Sequence, residues 1–83
     1  MPIRVRVLYF GQAREVAGRK EEEFSLPSAS SVKTLVGLSV NAHRGLQGMQ
    51  GAMRVAVNEE VAGQGYRLAD GDVVAFLPPV AGG

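Results

Sequence analysis

Only one segment of this 83-residue chain carries sustained helical spacing: SSVKTLVGLSVNAHRG, from Ser30 to Gly45. Val32, Leu35, Val36 and Ser39 or Val40 recur at the interval that places side chains on one helical face. Ser30 or Ser31 supplies an N-cap. Gly45, following His43 and Arg44, stands where a C-terminal glycine cap belongs. The longer runs on either side read as strands. One helix covers only one face of a sheet, so the chain is expected to fold as a helix on a sheet whose second face stays open.

The strands follow from alternation. In IRVRVLYF, Ile3, Val5, Val7 and Tyr9 point one way, and Arg4, Arg6, Leu8 and Phe10 the other. KEEEFSLP is a second strand with Phe24 and Leu26 inward, ended by Pro27. MRVAVN is a third, with Met53, Val55 and Val57 inward. A short strand is expected near Val61 or Tyr66. DVVAFL is the last strand, which Pro78 and Pro79 terminate because neither can donate to a ladder. Between them, GQAREVAG is a short helical turn with Val16 or Ala17 tucked inward, GLQGMQGA a glycine-rich loop and ADGD a turn.

The first and last strands are the most apolar and so belong in the middle of the sheet. The open face then divides. Arg4 and Arg6 lie at one end; Leu8, Phe10, Ala75 and Leu77 lie at the other, with Val61 placed to join them. That patch sits beside the root of the C-terminal tail.

Composition narrows the chemistry. With no cysteine there is no disulfide, thiol nucleophile or cysteine-based zinc site. Nine basic against eight acidic residues is too even for a nucleic-acid binder. No apolar run approaches the roughly 20 residues of a membrane span, and the opening lacks a signal-peptide core. A soluble, cytoplasmic chain is expected. Asp70-Gly71-Asp72 lacks the further oxygen ligands of a calcium loop. Gly45-x-x-Gly48-x-x-Gly51 lacks the Gly-Lys-Ser/Thr ending of a phosphate loop. His43 has no triad partner or metal-ligand spacing and reads as a surface histidine at a helix end. Glu21, Glu22 and Glu23 read as a solvated edge. No metal site and no catalytic side-chain constellation is expected.

The unusual group is the end of the chain, PPVAGG. Pro78 and Pro79 favour an extended stalk, and Pro78 to Gly83 can reach roughly 20 Å. Gly82 and Gly83 have no Cβ and fit a channel too narrow for side chains. The terminal carboxyl, with a reference pKa of about 3.5, is ionised and a poor electrophile. It needs activation before it can react, for instance as an acyl-adenylate.

VLYFGQAREVAG, RVAVNEE and LADGDVVAFLPPVAGG together resemble the MoaD branch of the MoaD/ThiS ubiquitin-like sulfur carriers, the small subunits of molybdopterin synthase. The likeness spans nearly the full length. It implies an α+β, ubiquitin-like β-grasp fold over residues 1–77: a mixed sheet of four to five strands with one main helix packed on one face. Residues 78–83 would form an extended Gly-Gly tail.

The resemblance also implies a mechanism. An E1-like (MoeB-like) enzyme would adenylate the Gly83 carboxylate with ATP, no cofactor being bound by the chain itself, and a sulfur donor protein would convert it to a thiocarboxylate. Gly82 would help it fit a narrow channel. In the large subunit (MoaE-like), the thiocarboxylate would give its sulfur to cyclic pyranopterin monophosphate, with catalytic side chains coming from that partner. Two small and two large subunits would form a heterotetramer. Phe10, Val61, Leu77, Pro78, Pro79, Val80 and Ala81 would contact the large subunit. A sulfur carrier for thiazole or tRNA thiolation, a ubiquitin-like protein modifier and a non-covalent β-grasp binding module stay open as alternatives.

Overall fold

The computed structural model describes residues 1–78. The expected roles of Pro79, Val80, Ala81, Gly82 and Gly83 therefore lie outside the described residues. Five strands form one mixed sheet: β1 (Ile3–Tyr9), β2 (Glu21–Leu26), β3 (Arg54–Val57), β4 (Glu60–Val61) and β5 (Val73–Leu77), in the order β2-β1-β5-β3-β4. β1 and β5 run parallel, with Val7 opposite Val74 and Tyr9 opposite Phe76. Every other pairing is antiparallel. The two most apolar strands do lie inside the sheet, because interior strands lose the most water.

Alternation places the core. Ile3, Val5, Val7 and Tyr9 from β1, with Val74 and Phe76 from β5, are all buried on one face. Helix α2 (Val32–Ala42) covers them with Val32, Leu35, Val36 and Ser39. It starts at Ser31, whose hydroxyl accepts the Thr34 N–H at 3.4 Å. The helix, the open second face and the β-grasp arrangement agree with the sequence.

Three local expectations change. Helix α1 (Gly11–Ala17) buries Ala13, not Val16, which stays exposed; Ala17 is half-buried. The inward position is fixed by where the helix enters after Phe10, whose carbonyl accepts the Ala13 and Arg14 N–H groups. Gly45 is not a helix cap: α2 ends at His43, and Gly45 lies inside a 3-10 helix, Arg44–Met49. A Cβ on Gly45 would come within 2.6 Å of Val16 Cγ1, so glycine is kept there for close packing against α1. The expected glycine-rich loop is thus partly helical, and its Leu46 is fully buried. That burial contributes roughly 1.5–3 kcal/mol.

The Asp70–Asp72 turn sets the start of β5 against β1. Asp70 Oδ1 accepts the Arg4 N–H at 2.8 Å, Gly71 donates to the Arg4 carbonyl at 2.8 Å, and Arg6 donates to the Asp72 carbonyl at 3.0 Å. Both aspartates act as turn residues.

Candidate functional site

Strand register assembles the open face. Leu8 lies opposite Ala75, Ala75 opposite Ala56, and Ala56 opposite Val61. Paired residues share a face, so these four form one apolar row across β1, β5, β3 and β4. Three strand spacings put Val61 about 14 Å from Leu8. Leu77 follows in the next row, opposite Arg54. Phe10 emerges one residue past the Tyr9–Phe76 pair.

Exposure separates these residues from the core, except Ala56, which is buried. Phe10 is 45% exposed and Val61 69%, while Leu8, Ala75, Leu77 and Pro78 are half-buried. An open groove of about 480 Å³ runs between Leu8, Phe10, Val73 and Ala75 and the β3–β4 turn at Asn58 and Glu59. The structure therefore brings Phe10, Leu77 and Pro78 to one end of the sheet. It leaves Val61 on the same face at the far edge.

The root of the tail is sterically defined. Gly11 has a left-handed φ of 52°, and a Cβ there would sit 3.2 Å from Pro78 Cγ. Both the backbone angle and the close approach call for glycine. The end of β1, the start of α1 and Pro78 thus form one packed corner from which the chain leaves the sheet.

The charged end of the open face is neutralised locally. Arg4 lies 3.6 Å from Glu23, and Arg6 4.0 Å from Glu21. These exposed pairs contribute little to stability. They do offset the positive charge at that end. Among the described residues, no cluster of three metal-ligating side chains occurs. No helix there is long and apolar enough to cross a membrane.

A polar cluster lies on the helix-covered face. His43 Nε2 donates to Glu22 Oε1 at 2.7 Å, and the Tyr9 hydroxyl donates to the same oxygen at 2.8 Å. The Tyr9 ring meets His43 and Phe76 edge-on, each at 5.7 Å. His43 is therefore not a plain surface histidine, and Glu22 is the inward member of an otherwise solvated run. Counting back by twos from Leu26 and Phe24 reaches Glu22, which is the signal the sequence offered.

Burial raises the Glu22 pKa, but the hydrogen bonds from His43 and Tyr9 outweigh it and hold the carboxyl below its ordinary 4.5. Burial and the neighbouring Glu22 carboxylate push the Tyr9 phenol well up. Because the folded Glu22 pKa is depressed, its stabilisation is fully present above about pH 4.5 and disappears as pH falls through the lower folded value. Glu22→Gln is expected to cost about 1 kcal/mol at pH 7. The difference from the parent should close in acid. Thermal melts of both chains across pH 3–7 check this.

The fold is shared with known proteins. Residues 7–83 match the model of the ThiS family. The molybdopterin synthase sulfur carrier subunit of Chlamydomonas reinhardtii is 35% identical over 98% of this chain and 100% of its own length. That of Mycobacterium tuberculosis is 38% identical over 98% and 99%. Among solved structures, small archaeal modifier protein 1 of Haloferax volcanii is 27% identical, with a TM-score of 0.85 over 94% of this chain and 99% of that one. A chain in the complex of subunits 1 and 2 of the Helicobacter pylori molybdopterin-converting factor is 33% identical, with a TM-score of 0.65 over 98% and 100%. With the β-grasp sheet, the sequence match through Gly83 and full-length relatives in agreement, this chain belongs to the ThiS family.

Proposed function

We propose that this chain is the sulfur-carrier small subunit of a molybdopterin synthase, acting in the cytoplasm. The observation that carries the reading is full-length kinship with proteins named molybdopterin synthase sulfur carrier subunit. The apolar row, with Phe10, Leu77 and Pro78 at the end of the sheet beside it, supports the reading, as a surface on which a large subunit can seat while the tail reaches that subunit's active site. The subunit 1–subunit 2 complex of the Helicobacter pylori factor supports a partner of that kind. Two small and two large subunits make up the assembly.

The chemistry resides in the Gly83 carboxylate. Inside an E1-like enzyme, its oxygen attacks the α-phosphorus of ATP and pyrophosphate leaves. A persulfide sulfur then attacks the acyl carbon and expels AMP. A thiol that cleaves the resulting acyl disulfide frees the thiocarboxylate. In the large subunit this sulfur attacks cyclic pyranopterin monophosphate, and water at the acyl carbon restores the carboxylate. Two such transfers build a dithiolene. Side chains for acid–base work come from the large subunit.

The test is the intact mass of the chain after incubation with ATP, the cognate activating enzyme and a sulfur donor. One oxygen-for-sulfur exchange mapped to Gly83 is expected. No exchange, with the enzyme active on a control carrier, overturns the carrier reading.

A second reading, conjugation of Gly83 to lysines of other proteins, is supported by the likeness to the archaeal modifier. It shares the activation step. Lysines bearing the Leu68–Gly83 branch that trypsin leaves after Arg67, in digests of the source cells, distinguish it.

A further inference from the structure

Glu59 is the one charged residue that lines the open-face groove among the described residues; Leu8, Phe10, Val73, Ala75 and Asn58 are the others. Its placement is costly. The β3–β4 connection is a two-residue hairpin turn, Asn58-Glu59, closed by the Val57–Glu60 pair, with Ala56–Val61 the next pair along the ladder. Both turn residues are left-handed, with φ of 50° and 73°. That geometry favours Asn-Gly. Asparagine tolerates the first position, but a glutamate at the second is strained in a way that glycine would relieve.

The turn is also held rigidly. The Asn58 carboxamide oxygen accepts the Val73 N–H at 3.0 Å, its amide donates to Asp72 Oδ1 at 2.9 Å, and the Asn58 N–H donates to the Val73 carbonyl at 2.8 Å. Asp72 is itself buried, and its other carboxylate oxygen accepts the Ala69 N–H at 2.8 Å. The hairpin tip is thereby fixed to the entry of β5. The Glu59 carboxylate projects from a fixed base and forms no ion pair or side-chain hydrogen bond among the described residues.

A partner that fills this groove with apolar side chains leaves the exposed Glu59 carboxylate at the rim of the contact, still reached by water and salt. A rim charge acts mainly by steering association, favouring an opposite charge across it and repelling a like one. We propose that Glu59 is a specificity-determining residue of the docking face: the large subunit presents a lysine or arginine beside the apolar group it places between Phe10 and Ala75, and Glu59 pairs with it. This rests on the large-subunit reading above. It adds the charge that the partner must bring and explains why a strained turn carries a carboxylate.

The experiment titrates the cognate large subunit with the parent chain, Glu59→Gln and Glu59→Gly, at low and high salt. Glu59→Gln keeps the side-chain shape and the turn while removing the charge. It is expected to weaken binding about threefold to tenfold at low ionic strength, mainly through slower association, and the deficit should vanish at high salt. Glu59→Gly is expected to lose the same affinity while melting a few degrees higher, by roughly the shift that relief of turn strain gives a domain of this size. Binding by Glu59→Gln equal to the parent at both salt levels overturns the proposal. So does a deficit that persists at high salt, which would mark packing rather than charge. A parent chain that takes up sulfur but does not bind the large subunit overturns the docking reading and this one with it. A parent that binds alongside an unchanged Glu59→Gln overturns this one alone.

Discussion

A chain extended by one alanine after Gly83 is expected to take up no sulfur and to fold like its parent. The added residue moves the carboxylate by up to 3.3–3.6 Å along an extended chain. It also places a Cβ where the parent presents only glycine backbone. Activation requires the carboxylate oxygen to lie in line with a phosphorus inside another enzyme. A misplacement of about 1 Å at such a step can cost 100-fold, so loading should fall below detection. The described core ends its sheet at Leu77, and the extension adds nothing to it. The melting midpoint should therefore stay where it is. Intact mass after the activation reaction and a thermal melt measure both halves. Normal loading of the extended chain overturns the role given to Gly83.

The sheet was legible because two of its three interior strands, β1 and β5, announce themselves twice, by apolar content and by alternation. β1 and β5 could be placed side by side from that alone, and the open-face row from Leu8 to Val61 follows once the register is known. What the sequence hid were contacts between segments. Gly45 has the look of a cap or a flexible loop, yet its reason is the Val16 methyl packed against it. Nothing local to either residue says that α1 and the 3-10 helix touch. Ala13 outcompetes Val16 for the interior because the entry angle after Phe10 sets the phase of a seven-residue helix. A helix that short has too few turns for periodicity to decide.

The candidate site divides in the same way. Phe10 and Leu77 could be assigned to the open face from strand parity. The β3–β4 turn could not be read as a rim, because Asn58 and Glu59 gain meaning only when Asp72 and Val73 dock against them. Glu22 shows the opposite case. Its inward phase is written in the alternation of β2, but three consecutive glutamates mask it. Its partners lie 13 and 21 residues away, in other elements.

Replacing Phe10 by glutamate should lower affinity for the large subunit by at least about 100-fold while leaving the fold intact. Two effects add. The aromatic ring supplies the largest exposed apolar surface beside the tail root, and buried aromatic anchors near the centre of an interface typically carry about 2 kcal/mol or more. The introduced carboxylate must then be desolvated against an apolar partner, which costs roughly 1–3 kcal/mol by the mutational scale. The free chain is spared both penalties, because Phe10 is 45% exposed and a glutamate there stays in water. Leu77→Glu should weaken binding as well, but it also costs stability, since Leu77 is half-buried within β5. Phe10 is thus the cleaner probe. Phe10→Leu keeps most of the apolar area and should recover much of the affinity. Calorimetric titration of the large subunit with the three variants, beside their thermal melts, separates docking from folding. An unchanged affinity for Phe10→Glu would remove the apolar row as the docking face, while sulfur loading of Gly83 by the activating enzyme could proceed untouched, because carrier chemistry and large-subunit docking are separable properties of the same tail.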